Sequence, residues 1–221
     1  TEKEDDMSRR ARWMRRLLVA AGLVAAVALL AVAPSLVKMD LGRLGSRASW
    51  QLPDRVIDSL GIQPGDRVAD VGAGDGYFTF RLTVAVGPSG RVHAVEVSDE
   101  LVRQLEQKAR HGGHDNVVVV KGEYTDPLLP DGEIDLILFC NSYHHIEDRV
   151  EYFDRLRSDL AEGGRVALMD LKAVPLVRLL APHGHWTTVE TMAEEMGQAS
   201  YTLTERFDFL PAQSFVVFRP I

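Results

Sequence analysis

Three glycines separated by single residues follow an apolar run in the sequence VADVGAGDGYFT, residues 68–79. Gly72, Gly74 and Gly76 can adopt backbone angles that are closed to other residues, and they allow a ligand to touch the main chain. Glu96 lies 20 residues beyond the last glycine, at the end of another apolar run. A carboxylate in that position can accept hydrogen bonds from both hydroxyl groups of a ribose. These residues together predict a nucleoside site.

The spacing of the glycines narrows the kind of ligand. It is G-x-G-x-G and not the G-x-G-x-x-G of dinucleotide-binding folds, which argues against a pyrophosphate. A purely structural turn is the alternative explanation for three glycines alone. Asp70 beside the turn, the apolar run before it and Glu96 beyond it favour the ligand site over that alternative.

A second set of polar residues, NSYHH at 141–145, follows a later apolar run. Neutral imidazole is a suitable general base near pH 7, so His144 or His145 can take a proton from a reacting group. The hydroxyl of Tyr143 can orient that group. The alternative is that one histidine only packs or caps a helix, with a carboxylate just after the motif as its partner. Both interpretations remain open for these residues.

The elements that must position these residues alternate along the chain from Trp50 onward. Strands joined by helices require crossover connections, which give a mostly parallel sheet with helices on both faces. Loops after such strands meet at one edge, where ligands bind. The predicted strands are Val68–Val71, Arg91–Val97, Val117–Val120, Ile134–Cys140 and Val166–Leu171, and the predicted helices begin at Pro53 and span Asp99–Arg110 and Arg149–Leu160.

Four stretches, VADVGAGDGYFT, HAVEV, IDLILFCNSYHHI and LAEGGRVALMDL, resemble class I S-adenosylmethionine-dependent methyltransferases. The resemblance extends from about Trp50 to the C-terminus. It implies a Rossmann-like, doubly wound α/β fold whose seven-stranded, mostly parallel sheet ends in an antiparallel hairpin. That hairpin matches Thr202–Phe209 and Ser214–Phe218.

The resemblance also implies a cofactor, S-adenosyl-L-methionine, and roles for individual residues. The glycine loop passes beneath the methionine part, the acidic residue after the second strand binds the ribose, and the segment after the third strand frames the adenine. Methyl transfer needs an in-line approach and, where the acceptor is protic, a base. The predicted catalytic residues are His144, His145 and Tyr143, and the predicted cofactor-binding residues are Asp70, Gly72, Ala73, Gly74, Gly76, Glu96, Val97, Gly122, Glu123 and Asn141.

Composition limits the class of protein. The 221 residues, 46% hydrophobic, suffice for one sizeable domain, expected at residues 50–221. A formal net charge of −7 offers no basic surface to nucleic-acid phosphates. The spacings of the histidines and the single cysteine match no zinc or iron pattern, so no metal is expected.

The N-terminal region, residues 1–39, has a different character. Five arginines between residues 9 and 16 precede an uncharged stretch, residues 17–37. As a helix, that stretch is roughly 30 Å long, which is enough to cross a bilayer. A membrane anchor is the favoured interpretation, and a secretory signal or a buried helix are the alternatives. The distribution of arginines favours a cytoplasmic N-terminus and a domain outside the cytoplasm, joined by a linker at residues 40–49.

These observations lead to one expected function and one alternative. The expected protein is a membrane-anchored or exported methyltransferase that acts on a small-molecule or lipid-like acceptor. The alternative is a non-catalytic relative that shares the fold and binds a nucleoside, or nothing, outside the cytoplasm.

Overall fold

The computed structural model describes residues 46–172 and 186–221. A compact unit extends from Trp50 to Ile221, and residues up to Ser49 belong to a separate unit. The predicted anchor at residues 17–37 lies outside the described residues. Among the helices that the structure describes, none combines the length and the apolar character that a membrane span requires.

Helices and strands alternate through much of the compact unit, as predicted, but no helix separates the strand Val117–Lys121 from the strand Ile134–Cys140, and the last two strands follow each other directly. Two short 3₁₀ turns, Tyr143–His145 and Arg157–Asp159, flank the helix Arg149–Leu156. The helices are α1 (Arg47–Gln51), α2 (Pro53–Leu60), α3 (Thr79–Val86), α4 (Asp99–Gly112), α5 (Arg149–Leu156) and α6 (Val189–Gln198); the strands are β1 (Arg67–Val71), β2 (Arg91–Glu96), β3 (Val117–Lys121), β4 (Ile134–Cys140), β5 (Leu160–Leu171), β6 (Tyr201–Phe207) and β7 (Gln213–Pro220).

In the described part of the chain, seven strands form one sheet in the order β3-β2-β1-β4-β5-β7-β6. Strands β1 to β5 are parallel, whereas β7 runs antiparallel to both β5 and β6. The chain leaves β1 toward β2 on one side and later returns as β4 on the other. Ligands bind such sheets in the crevice at this change of direction. The topology confirms the predicted fold class.

The central strands are buried on both faces. Alternate side chains point to opposite faces of the sheet, and each face is covered by an apolar layer. In β4, Leu136 and Leu138 pack in one layer, while Ile137 and Phe139 pack in the other. Helices α2 and α3 contribute to the first layer, and α5 and α6 contribute to the second. This explains why β4 appears in the sequence as a nearly continuous apolar run and not as an alternating one.

The boundary between α5 and β5 differs from the prediction. The helix predicted to Leu160 ends at Leu156, and β5 begins at Leu160, six residues before the predicted start. Leu160 pairs with Ile134, whereas Arg165 pairs with Leu136, so the residues between form a bulge that contains Gly163 in a left-handed conformation. Two adjacent glycines lie in this bulge. Because adjacent glycines are typical of loops, the sequence predicted a later start for β5 than the structure has.

Candidate active site

The loop after β1 takes a conformation that only its glycines make easy. The φ angles of Gly72, Gly74 and Gly76 are 78°, 58° and 83°. The main-chain N–H groups of Gly72 and Ala73 both donate to the carbonyl of Val95 on β2, each over 3.0 Å. The loop therefore runs across the carboxyl ends of β1 and β2, next to the change of direction in the sheet.

The three glycines differ in what surrounds them. A Cβ atom on Gly72 would lie 2.7 Å from the Cβ of Ser142, and one on Gly76 would lie 2.4 Å from the ring of Phe80. Packing within the protein explains these two glycines. A Cβ on Gly74 would meet no described atom closer than 4.0 Å. The main chain of Gly74 is therefore the part of the loop that a ligand can approach.

Glu96 fastens the glycine loop to the end of β2. Its side chain is buried, and Oε1 accepts hydrogen bonds from the N–H groups of Val97 (2.8 Å) and Ser98 (3.0 Å). Oε2 accepts from the N–H of Gly74 over 2.9 Å. A carboxylate offers about four acceptor positions, so Glu96 has capacity for one further donor. Binding both hydroxyls of a ribose would require one of the main-chain donors to be replaced.

The loop after β3 lies beside Glu96. The N–H of Gly122 donates to the carbonyl of Glu96 over 3.2 Å, and a Cβ at this position would lie 2.6 Å from the side chain of Val95. Glu123 is exposed, and its N–H donates to the carbonyl of Asp126 over 2.7 Å. The predicted adenine segment thus adjoins the predicted ribose-binding carboxylate.

Two further side chains support the glycine loop, and the sequence did not single them out. The hydroxyl of Thr79, at the start of α3, donates to Oδ2 of the buried Asp70 over 2.6 Å. Nζ of Lys108, on α4, donates to the carbonyl of Asp75 over 2.7 Å. Asp70 therefore links β1 to α3, and its predicted contact with the cofactor stays a prediction.

After β4, the imidazole of His144 is paired with a buried carboxylate. Its Nδ1 donates to Oδ1 of Asp170 over 2.8 Å, and its main-chain N–H donates to Oδ2 over 3.2 Å. The N–H of Leu171 also donates to Oδ1, over 2.8 Å. Because the carboxylate can only accept, Nδ1 carries a proton and Nε2 is the basic nitrogen of the neutral ring.

Asp170 was not predicted, although the sequence contained a signal for it. It lies near the carboxyl end of β5 after a buried apolar run. An acidic residue in the corresponding position of β2 is the pattern that led to Glu96.

The other two predicted catalytic residues have different surroundings. His145 is exposed, with its ring centroid 4.1 Å from that of His144. Tyr143 is fully buried, and its hydroxyl donates to Glu195 on α6 over 2.6 Å. Arg149 binds the same carboxylate over 2.8 Å. Burial, together with the neighbouring carboxylate, raises the pKa of the Tyr143 hydroxyl. The geometry thus gives Tyr143 a structural role and does not support its predicted role in orienting an acceptor.

Asn141 is part of a buried amide cluster. It has a left-handed φ of 56°, and its Oδ1 accepts from Nε2 of Gln213 over 2.8 Å. Oε1 of Gln213 accepts from Nε2 of Gln51 over 3.2 Å, and both glutamines are fully buried. Sγ of Cys140 lies 3.4 Å from Nε2 of Gln51. The glutamines carried no signal in the sequence, because neither belongs to a motif and 162 positions separate them.

An open groove adjoins the paired histidine. Residues of the first 3₁₀ turn, α5 and α6 line it, among them His144, His145, Asp148, Arg149 and Glu195. His144 lies at the border of this groove toward α5 and α6, with 6% of its side chain exposed. A molecule bound there would lie next to the predicted base.

Known proteins resemble this chain in both sequence and structure. A family model described as "Methyltransferase domain" matches residues 62–207. The 27-O-demethylrifamycin SV methyltransferase of Amycolatopsis mediterranei is 31% identical over 131 residues, which cover 58% of this chain and 47% of the relative. The ubiquinone/menaquinone biosynthesis C-methyltransferase of Pasteurella multocida is 28% identical over 132 residues, which cover 59% and 48%. The chain spans about half the length of these curated relatives.

A solved structure extends the likeness over the whole fold. The SAM-dependent methyltransferase from Aquifex aeolicus superposes with a TM-score of 0.72 and 22% identity, covering 83% of this chain and 98% of that one. At this level of identity the likeness concerns the fold, including the antiparallel strands at the end of the sheet.

Proposed function

The chain belongs to the class I S-adenosylmethionine-dependent methyltransferase family, and we propose that it methylates a small-molecule acceptor that loses a proton in the reaction. The observation that carries this proposal is the pairing of His144 with Asp170, at the sheet edge that also holds Gly74 and Glu96. A base that is oriented by a buried carboxylate is suited to a reaction in which the acceptor must lose a proton.

The residues at the β1 and β2 end of this edge fit the cofactor. The open main chain at Gly74 suits close approach by a ligand, and Glu96 can accept from a ribose hydroxyl. Gly122 and Glu123 lie beside Glu96, where adenine would follow the ribose. When bound, S-adenosylmethionine supplies an electrophilic methyl group on a sulfonium. The chain holds the cofactor through these residues and through Asn141 toward β4.

The His144 imidazole acts on the acceptor. Nε2 accepts the proton that the acceptor loses, and the positive charge that forms on the ring is stabilised by Asp170. The same carboxylate orients the ring, since it binds both Nδ1 and the main-chain N–H of His144. General-base catalysis of this kind contributes roughly 10²- to 10⁴-fold to a rate.

Two properties of the relatives and the chain support the class of acceptor. One relative is named for O-demethylrifamycin and another for C-methylation in ubiquinone/menaquinone biosynthesis. A hydroxyl oxygen and an acidic carbon both lose a proton when they are methylated. The net charge of −7 disfavours an acceptor as rich in phosphate as RNA or DNA. We therefore propose a hydroxylated aromatic or quinone-like acceptor.

The direct test measures binding and turnover with the full chain. We expect S-adenosylmethionine and S-adenosylhomocysteine to bind by calorimetry, and labelled methyl groups to appear in members of a panel of phenols, naphthols and demethylated quinones. Absence of binding by both cofactor forms would contradict the function. Binding without transfer to any member of the panel would favour the non-catalytic alternative.

We further propose that residues 17–37 hold the full chain at a membrane, which favours lipid-like acceptors. The chain should sediment with membranes and resist extraction with carbonate. Replacing Val27 with Arg, in the middle of the uncharged stretch, should release it, whereas replacing Val27 with Leu should not. A reporter fused after Ile221 reads the side on which the domain lies. Release of the unaltered chain by carbonate would contradict the anchor.

A further inference from the structure

Asn141 lies at the carboxyl edge of the sheet, on the side toward which a cofactor bound at Glu96 and Gly74 would extend. Asn141 directly follows β4, and the next residue, Ser142, donates to the carbonyl of Val71 over 2.8 Å. It thus adjoins the end of β1, across the crevice from Glu96 on β2. A ligand whose ribose lies at Glu96 and whose middle lies on Gly74 extends toward β4. Its amino-acid end, with ammonium and carboxylate groups, therefore approaches Asn141.

The amide of Asn141 can present either a donor or an acceptor to that end. An acceptor would repel a carboxylate, whereas the Nδ2–H groups would bind it. In the structure, Oδ1 accepts from Nε2 of Gln213, and Nδ2 makes no hydrogen bond to the described residues. The donor face is consequently the one left for a ligand. The residues that fix the orientation of the Asn141 amide therefore determine whether the site attracts a carboxylate.

The two buried glutamines set this direction. Gln51 donates through Nε2 to Oε1 of Gln213, which leaves Nε2 of Gln213 to donate to Asn141. The sulfur of Cys140 lies 3.4 Å from Nε2 of Gln51 and 4.0 Å from Nε2 of Gln213. A thiol sulfur next to both nitrogens accepts weakly from them, so all the donors point the same way. Reversal of one amide would place two acceptors or two donors against each other.

We propose that Gln51 and Gln213 are positioning residues that hold Asn141 with its Nδ2–H groups toward the cleft, where they bind the carboxylate of the cofactor's amino-acid portion. The inference rests on the proposed function, because it assumes that S-adenosylmethionine or its product binds. Gln213 can reach Asn141 because β7 is antiparallel to β5 and starts at the edge where β4 ends. Both glutamines are fully buried, so their amides have no exchange with solvent to loosen the direction.

The experiment compares two ligands that differ only at the end in question. They are S-adenosylhomocysteine and its carboxamide analogue, in which the carboxylate is replaced by CONH₂. Dissociation constants of both are measured on the full chain by calorimetry or by competition. The wild type should prefer the carboxylate by roughly tenfold or more, as a charge-assisted hydrogen bond provides.

Gln213→Glu turns the donor that faces Asn141 into an acceptor. The Asn141 amide then reverses, its Oδ1 faces the cleft, and the preference for the carboxylate should vanish or invert. Gln51→Glu should give the same result, although Gln51 does not contact Asn141. The glutamate can only accept, so the amide of Gln213 reverses to donate to it, and the amide of Asn141 then reverses in turn. Gln213→Met, of similar size but without polar hydrogen-bonding groups on nitrogen or oxygen, should reduce the preference without inverting it.

The ratio of the two constants separates this role from a merely structural one. A variant that only loosens the fold weakens the binding of both ligands equally, so the ratio of dissociation constants stays near the wild-type value. That result for both glutamate variants would overturn the inference. In an Asn141→Ala background, Gln213→Glu should leave the ratio unchanged. If the wild type bound neither ligand, the proposed function would fail and the inference with it. If Gln213→Glu did not fold, Gln51→Glu would decide.

Discussion

The two halves of the candidate site are built differently. On the β1 and β2 side, the site consists mainly of main chain: the open glycine loop and the three N–H groups that hold Glu96. On the β4, β5 and β7 side it consists of side chains, the His144 and Asp170 pair and the amide cluster around Asn141. A main-chain site suits a ligand that is the same throughout a family. A side-chain site can change from protein to protein, so the part of the second half around His144 and Asp170 is where acceptor specificity can vary.

The largest effect that would test this division is loss of cofactor binding from the first half. Glu96→Ala removes the acceptor of three main-chain N–H groups and of the proposed ribose hydroxyl. The lost charge-assisted bond to the ribose costs about 1.5–3 kcal/mol, and Glu96 no longer holds the glycine loop, so affinity for S-adenosylmethionine should fall by roughly 100-fold or more. Glu100→Ala, an exposed carboxylate on α4, is the control and should bind normally. Unchanged affinity of the Glu96 variant would remove the ribose assignment.

Changes at the His144 and Asp170 pair of the second half should affect turnover and leave cofactor affinity unchanged. We expect His144→Ala to keep its affinity for S-adenosylhomocysteine while its rate falls by about 10²- to 10⁴-fold, because the base is lost. Asp170→Asn should lower the rate and shift the pH–rate profile, since the neutral amide no longer stabilises a charged ring. His145→Ala is the matched control, as its ring is exposed beside His144. If His145→Ala lost more turnover than His144→Ala, the assignment of His144 as the base would be wrong.

The glycines sharpen the comparison within the first half. Gly74→Val places a branched side chain where a ligand would touch the main chain, so cofactor affinity should fall at least tenfold with a folded protein. Gly76→Ala brings a Cβ to 2.4 Å from the ring of Phe80, so it should lower the melting temperature instead. Both variants also carry the cost of a left-handed conformation, about 1–2 kcal/mol. Comparing calorimetric affinity with thermal stability separates them, and a Gly74→Val variant with wild-type affinity would exclude close approach at this position.

The smallest expected effect lies far from both halves. Asp159 precedes β5 at the opposite edge of the sheet, and burial raises its pKa to about 6, with Asp126 adding to the shift. The folded state thus favours the protonated form, so this residue costs stability as the pH rises from about 4 through about 6. Asp159→Asn should stabilise the protein by roughly 1–2 kcal/mol at pH 7.5 and have little effect near pH 4.

Thermal unfolding at the two pH values measures the Asp159 effect. Cofactor affinity and turnover should stay at wild-type values, which makes this variant a control for the divided site. An equal change in stability at both pH values would mean that the charge of Asp159 is not its cause.

Much of the first half could be predicted because its signals are local. The apolar run, the glycine spacing and Glu96 lie within 29 consecutive residues, and a strand, a turn and a helix follow one another without long-range choices. The fold class was predictable for a related reason. Apolar strands that alternate with amphipathic helices have few ways to bury their surfaces other than a doubly wound sheet.

The second half was predicted only in part. The residue types after β4 indicated a base, but they left His144 and His145 equivalent. The choice between them comes from Asp170, 26 positions away, which the pairing of β4 with β5 brings beside the first histidine. Likewise, the burial of Tyr143 against Glu195 depends on how α6 packs, and the residues near position 143 carry no sign of it.

The sequence by itself determined the glycine turn at the sheet edge and predicted a nucleoside-type ligand on its main chain, because glycine spacing and strand periodicity are properties of neighbouring residues. Only the tertiary structure decided which imidazole is oriented and which way the Asn141 amide faces. Those outcomes depend on hydrogen bonds between residues as far apart as Gln51 and Gln213. Such contacts exist only after β7 has inserted antiparallel beside β5, and no local pattern encodes that register.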